Sequence, residues 1–303
     1  MTSLTRTPAA RSGSEYLEYV EYFRRRFMYA RRRLVHVFLR RATLMARSLW
    51  QAAPLATKPL ADRDTYMRLY EAARNAAYPD IDQYERETGF VIDRPFVDDL
   101  ALHTQVVVKD SPLMWPHGRL LYSSLRDYLR KHPTERVTIL ETGTARGFSA
   151  LCMAKALQDV DQPGVIMTID IIPHEQDIYW NCIDDLDGKK SRRELLKPWH
   201  DLASRFVVFI WGDSRSILPA LSVDRIHFAF IDGAHTYGDV MFEFRHVASK
   251  QKPGDVIVFD DVNEEKFPGI FKAVQEICTN RGYKRLDISS GGARHYVIAE
   301  RSA

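Results

Sequence analysis

The carboxyl-terminal half of this 303-residue chain is predicted to be α/β, built on a doubly wound sheet whose first five strands run parallel. Three features of the sequence support this. From Arg136 onward short apolar runs alternate with helical stretches, a glycine-containing turn follows the first run, and single carboxylates follow several of the others.

Taken in order, Val137–Leu140, Val165–Ile169, Phe206–Ile210, Ile226–Ile231 and Val256–Phe259 read as strands, with His295–Ala299 closing the sheet. Ser149–Gln158, Arg192–Ser204, Tyr237–Ser249 and Ile270–Asn280 carry helical spacing between them. Upstream, Leu120–Arg130 and a stretch from Thr65 to Ala77 read as helices. Residues 52–64, with two prolines, read as a linker, and residues 80–118 as irregular and proline-punctuated. The expected organisation is a basic helical extension and linker over 1–60, a helical or irregular lead-in over 61–135, and the α/β domain over 136–303.

Composition narrows the class. Hydrophobic residues at 45% and charged residues at 27% exclude a collagen, a low-complexity polymer or a wholly disordered chain. Three cysteines without a CxxC exclude a disulfide scaffold and point to a reducing, cytoplasmic compartment. The net charge of +3 hides an asymmetry: residues 1–50 hold eleven arginines and three glutamates, so the remainder is mildly acidic. Within residues 15–50 an apolar stripe (Leu17, Val20, Phe23, Phe27) and arginines at 26, 33, 40 and 47 follow helical periods. The longest apolar stretch there, Leu34–Leu39, falls far short of the ~20 residues needed to cross a bilayer. Such a helix packs on its own domain or on a second subunit of a homo-oligomer, or lies on anionic lipid as a peripheral contact; nucleic acid ranks last.

In a doubly wound sheet, ligands bind beyond the carboxyl ends of the strands. After the first strand comes Glu141-Thr142-Gly143-Thr144-Ala145-Arg146-Gly147-Phe148-Ser149. Its glycines permit a tight turn and close ligand approach, and the following helix offers free N–H groups. The spacing is GxxxG rather than GxGxxG, and no Walker lysine is present, so a dinucleotide or P-loop site is not indicated. Asp170 follows the second strand, where a carboxylate can accept hydrogen bonds from a ribose or simply be a solvated strand end. Asp213, in Gly212-Asp213-Ser214, can meet an adenine amino group.

Together with Ile231-Asp232-Gly233-Ala234-His235-Thr236-Tyr237 and Pro253-Gly254-Asp255…Phe259-Asp260-Asp261, these motifs resemble class I S-adenosylmethionine-dependent methyltransferases. Within that class the resemblance is to small-molecule O-methyltransferases of the catechol and macrocin type, a pattern shared by cephalosporin-hydroxylase-like proteins. It covers roughly residues 120–303. The resemblance implies a seven-stranded Rossmann-like sheet with a short antiparallel finish at Arg285–Ile288 and His295–Ala299. It also implies that Glu141, Gly143, Thr144 and Gly147 shape the methionine pocket, with Ser149 near its carboxylate, Asp170 at the ribose and Asp213 near adenine.

Asp232, Asp260 and Asp261 end neighbouring strands, so their side chains can converge. Crowded carboxylates repel unless a cation neutralises them; a hard divalent ion such as Mg²⁺ suits oxygen donors, and no His/Cys set indicates zinc. In catechol-type enzymes the matching positions are metal ligands, the third often Asn where this chain has Asp261. His235 stands where those enzymes carry a proton-abstracting lysine, and an imidazole suits that role near neutrality. Capping or solvated aspartates, and a structural histidine, are the plainer readings of the same residues. Pro173–Pro198 is unusually long, and Tyr179, Trp180 and Asn181 either wall an acceptor pocket or belong to a surface insertion.

The function these residues imply is Mg-assisted methyl transfer from S-adenosylmethionine to a hydroxyl of a small molecule: a sugar, a glycosylated natural product or a polyphenol. The alternatives are a metal-independent or N-directed transferase using His235, and a non-catalytic or hydroxylase-like protein that binds S-adenosylmethionine. No NPP[YF]-like tetrapeptide or Pro-Cys nucleophile indicates nucleic-acid methylation.

Overall fold

A strand buried on both faces needs apolar residues at every position, and the central strands Phe228–Ile231 and Val256–Phe259 meet that demand, whereas the edge strand Tyr283–Ser289 is largely exposed. In the computed structural model, which describes residues 57–291 and 294–303, seven strands form one sheet in the order β3-β2-β1-β4-β5-β7-β6. They are β1 Val137–Thr142, β2 Gly164–Asp170, β3 Val207–Trp211, β4 Phe228–Ile231, β5 Val256–Phe259, β6 Tyr283–Ser289 and β7 His295–Arg301. The first five pair in parallel; β7 lies antiparallel to both β5 and β6. The expectations for the basic segment, including lipid, subunit and nucleic-acid contacts through residues 15–50, lie outside the described residues. Among the described residues no helix is long and apolar enough to cross a membrane.

Alternation along each strand feeds two cores. Phe228 and Phe230 of β4, with Ile139 and Val258, face one core; Ala229 and Ile231, with Leu140, Ile257 and Phe259, face the other. The helices Tyr237–Ala248 and Pro268–Asn280 cover the second core through Val240, Phe244, Ile270 and Val274. Phe148–Gln158 and the helices upstream of β1 cover the first. Each fully buried Phe or Ile contributes roughly 1.5–3 kcal/mol, so buried apolar layers hold the sheet from both sides, the first the more extensive.

The stretch read as irregular over 80–118 contains two helices, Pro79–Thr88 and Arg94–Thr104. Pro79 and Pro95 sit in their first turns, where a missing N–H costs nothing, and Asp93 accepts the Phe96 N–H at 3.1 Å as an N-cap. The prolines mark helix starts, and Ile81, Leu100 and Ala101 join the first core. A helix expected over Arg192–Ser204 is divided at Pro198 into Arg192–Leu195 and His200–Phe206. The long segment between β2 and β3 is fastened to Arg94–Thr104 by His103 Nδ1 and Asp184 Oδ2 at 2.6 Å, and Lys190 Nζ lies 3.2 Å from Asp184 Oδ1.

From β1 the chain winds outward through β2 and β3, then returns to lay β4 on the other side of β1. The crevice beyond the carboxyl ends of β1 and β4 is therefore the topological switch point.

Two tests follow from this architecture. Gly143 has φ +94°, and a Cβ there would lie 2.3 Å from the Asp232 carbonyl oxygen; Gly89 has φ +77° with open space around it. Gly143→Ala should cost roughly 2–3 kcal/mol and Gly89→Ala about 1 kcal/mol, read as melting temperatures at ~2–4 °C per kcal/mol. Equal losses would contradict the close approach. The Asp184 hydrogen bond raises the His103 pKa above the ordinary imidazole value against the opposing effect of burial. That stabilisation is complete below about pH 6.5 and is lost as pH rises through the folded pKa. His103→Gln should thus lower the melting temperature more at pH 6 than at pH 9; a gap that stays constant with pH would refute the charged pair.

Candidate functional site

The backbone ladder runs one residue past the strand ends and sets the site residues in a row. The Gly212 N–H donates to the Asp170 carbonyl (2.8 Å), Gly143 to Ile169 (2.9 Å), Asp232 to Thr142 (3.0 Å) and Asp260 to Ile231 (3.4 Å). Gly212, Asp170, Gly143, Asp232 and Asp260 therefore stand on adjacent strand tips along one rim of the sheet.

The turn after β1 has positive φ at Gly143, Ala145 (+45°) and Gly147. Gly147 begins the helix Phe148–Gln158 with no side chain capping its first N–H groups. Beneath the turn Glu141 is fully buried. Its carboxylate accepts the hydroxyls of Ser149 and Thr168, and Thr144 Oγ1 lies 2.5 Å from Thr168 Oγ1. Burial raises Glu141 to about 7, and these hydroxyls oppose the shift. Glu141, Thr144 and Ser149 are thus one hydrogen-bonded base on which the turn rests.

Asp170 closes the turn from the β2 side. Its Oδ2 accepts the Ala145 N–H at 2.6 Å and its Oδ1 the Ile172 N–H at 2.7 Å, while Arg192 Nη2 lies 3.7 Å from Oδ2. Each oxygen retains acceptor capacity. Burial raises its pKa despite Arg192. Asp213 accepts the Arg215 N–H at 3.0 Å and caps the short helix Ser214–Ile217. Between these two acids, Ile171 and Trp211 leave 47% and 67% of their surface open, with Trp211 Nε1 bonded to the Ile171 carbonyl at 3.1 Å. Open apolar surface beside two acceptors suits a flat heteroaromatic ring.

On the other side of the switch point stands the acidic cluster. Asp260 is fully buried, and Arg294 engages both of its oxygens, Nε at 2.9 Å from Oδ1. Burial alone would raise the Asp260 pKa; the guanidinium outweighs it and holds the carboxyl below its ordinary value. Asp232, His235 and Asp261 are partly exposed, and one ligand atom from each lies within 4.8 Å of the others. His235 Nε2 is 3.7 Å from Asp232 Oδ1 and 3.4 Å from Asp261 Oδ2, yet is buried and meets no partner in hydrogen-bond geometry. Burial, with the Asp260 charge adding to it, raises Asp232 to about 7. The nearby carboxylates outweigh burial at His235 and raise its pKa. Asp261 adopts φ +52°, which turns its carboxylate away from the sheet ladder toward His235.

The two halves meet backbone to backbone, because Gly143 lies against the Asp232 carbonyl. Sequence reasoning missed Arg294, whose approach to Asp260 depends on the antiparallel return of β7 beside β5. It also missed Arg192, Ile171 and Trp211. The only local signal for the last two was apolar residues at the tips of β2 and β3, where a solvated loop was expected.

Residues 140–262 match the family model Methyltransf_24, described as a methyltransferase domain. Among curated proteins no sequence matches the chain. Among solved structures, the O-methyltransferase NovP aligns at 16% identity over 67% of this chain and 88% of its own, with a TM-score of 0.50. Cofactor-bound Rv0187 from MTB aligns at 18% identity over 76% of this chain and 100% of its own, also at 0.50. The segment similar to a methyltransferase domain therefore holds the glycine turn, Asp170, Asp213 and the three strand-tip aspartates, on a Rossmann-like seven-stranded sheet.

Proposed function

We propose that the protein transfers the methyl group of S-adenosylmethionine to a hydroxyl oxygen of a small molecule. The observation that supports this most directly is the contact between Gly143 and the Asp232 carbonyl, which sets a cofactor turn and an acid–imidazole cluster side by side at the switch point. In this reading the uncapped start of Phe148–Gln158 and Ser149 receive the carboxylate end of the cofactor, and Asp170 accepts the ribose hydroxyls. Ile171 and Trp211 face the adenine, with Asp213 beside it. The sulfonium carbon then points toward Asp232.

The sulfonium is already electrophilic, so the protein's work is alignment and removal of one proton. As the methyl carbon–oxygen bond forms, the carbon–sulfur bond breaks and its electron pair stays on sulfur. The hydroxyl proton passes to the Asp232–His235 pair, in which burial raises Asp232 to about 7 and the surrounding carboxylates raise His235.

The donor set also fits a divalent cation. Asp232, Asp261 and His235 offer three ligand atoms to one point, and the buried Nε2 of His235 lacks a hydrogen-bond partner. In this reading Asp232 and Asp261 hold the ion with His235, and Asp260 orients the group through Arg294. When bound, Mg²⁺ would lower the pKa of the acceptor hydroxyl, which favours acceptors with two adjacent oxygens such as a catechol or a sugar diol. One observation favours the metal-independent reading: Arg294 already neutralises Asp260 and lies 3.4 Å from Asp261.

The tests separate these readings. The protein should bind S-adenosylhomocysteine in calorimetry, and Asp232→Asn should leave that affinity within about threefold while lowering labelled methyl transfer to a catechol and sugar-diol panel at least about 100-fold. Absence of binding, or full transfer by the variant, would overturn the reading. The metal reading expects EDTA to abolish transfer and Mg²⁺ to restore it. Full rates in EDTA would instead leave the proton to His235, and His235→Ala should then lose at least about 100-fold.

A further inference from the structure

The segment between β2 and β3, residues 173–198, has no part in the chemistry above; its aromatic residues were read as either an acceptor wall or part of a surface insertion. Trp180 is 1% exposed, and its Nε1 donates to the Lys190 carbonyl at 2.8 Å. The Asn181 side chain is also buried and pairs with the Val108 backbone in both directions, at 3.0 and 2.9 Å. What the segment reaches is the turn after β1. Arg146 of the turn donates to the Trp180 carbonyl, Nε at 2.7 Å. Leu196 fills the space that a Cβ on Gly147 would occupy, at 2.8 Å.

Arg192 makes the reverse connection. A capping box between Ser191 and Glu194 starts its helical turn and aims its side chain inward. The guanidinium is 2% exposed. Nε donates to the Ala145 carbonyl at 2.8 Å, Nη2 to the Ile172 carbonyl at 3.3 Å, and Nη2 lies 3.7 Å from Asp170 Oδ2. The rings of Trp180 and Phe209 lie 5.5 and 5.9 Å from it. A buried cation is costly unless paired, and among the described ion pairs its carboxylate partner is Asp170. Ala145 is therefore gripped through both of its flanking peptide groups: Asp170 takes its N–H and Arg192 its carbonyl, at a φ of +45° that residues other than glycine rarely adopt.

We propose that Arg192 is a positioning residue for the adenosyl ligand, holding the Asp170 carboxylate and the Ala145 peptide in their binding arrangement, and that residues 173–198 brace the cofactor side of the site. The proposal rests on the S-adenosylmethionine reading above. Arg192 touches neither the acceptor cluster nor the reacting atoms; its effect passes through Asp170 and the turn. Lysine could supply the charge but not the fork that reaches Ala145, Ile172 and Asp170 together.

Calorimetry on the full chain with S-adenosylhomocysteine, and separately with adenosine, tests this without knowledge of the acceptor. Arg192→Met should weaken both ligands about tenfold or more, and Arg192→Lys by a smaller factor. Arg193→Met, which removes a pair with Glu175 on the exposed side, should change neither. If Arg192 acts through Asp170, the Asp170→Asn/Arg192→Met double variant should bind no more than about twofold weaker than Asp170→Asn alone. Melting temperatures of every variant are measured alongside. A purely structural role predicts a lower melting temperature with unchanged ligand affinity in the folded protein, and that outcome overturns the proposal. Should Arg192→Met fail to fold, an unchanged affinity in Arg192→Lys overturns it equally. A wild-type chain that binds neither ligand refutes the cofactor reading itself, whereas tight wild-type binding retained in Arg192→Met refutes only the assignment to Arg192.

Discussion

Everything at the site depends on one close approach of backbone to backbone. Where β1 and β4 part at the switch point, Gly143 leaves no room for a side chain against the Asp232 carbonyl. That contact locks the exit of β1 to the exit of β4, so the turn and the acidic cluster cannot move independently. An added Cβ would wedge the two strand tips apart and, in the proposed reading, widen the distance over which a methyl group must travel. In-line transfer tolerates little such error, because the gain from alignment falls away steeply with displacement. The same glycine thus answers to packing and to chemistry.

Around that contact charge is divided into two regimes. Asp260 is fully buried and firmly neutralised by Arg294, which makes it part of the frame. Burial pushes the neighbouring His117 down to about 3, with Arg294 adding to the effect, so it stays uncharged beside the ion pair. Asp232, Asp261 and His235 are left partly open with no comparably tight partner. A buried pair with a committed cation is poor at exchanging protons; an open acid–imidazole group in which both pKa values are raised is suited to it. The fold therefore separates the carboxylate that shapes the cluster from those available to a substrate or an ion.

How much of this was legible in the sequence follows from what each feature depends on. The strand runs were readable because both faces of the sheet's centre are buried, which makes β4 and β5 continuously apolar and leaves β1 largely so. Once parallel order was inferred, the residues after each strand had to share a rim, so Gly143, Asp170, Asp232 and Asp260 were found together without knowledge of any side-chain rotamer. The helices at Pro79–Thr88 and Arg94–Thr104 were misread because proline was taken as a breaker, whereas at a first turn it starts a helix. Arg294 and Arg192 were invisible for a different reason. Each reaches its carboxylate from 34 and 22 residues away along the chain, through an antiparallel return and a long crossover segment respectively. No local pattern encodes such a meeting.

The crossover segment shows why aromatic content alone left two readings open. Aromatic residues next to a polar site suit a substrate wall, but the same rings can serve as faces for a buried guanidinium. Burial decides between the two uses. Trp180 is closed to solvent and its indole N–H is spent on Lys190, so it has no face left for an acceptor; Trp211 and Ile171, on the tips of β3 and β2, keep theirs open. Open apolar surface therefore lies next to Asp170, while Trp180 of the segment and Phe209 of β3 lie against Arg192. A long insertion between two strands is most simply a source of acceptor specificity, but here its buried polar contacts run to Ala145, Arg146 and Val108. In the proposed reading, an element that spends its hydrogen bonds on the turn after β1 sets the affinity and geometry of the donor, and acceptor choice is left to the loops that surround Asp232 and Asp261.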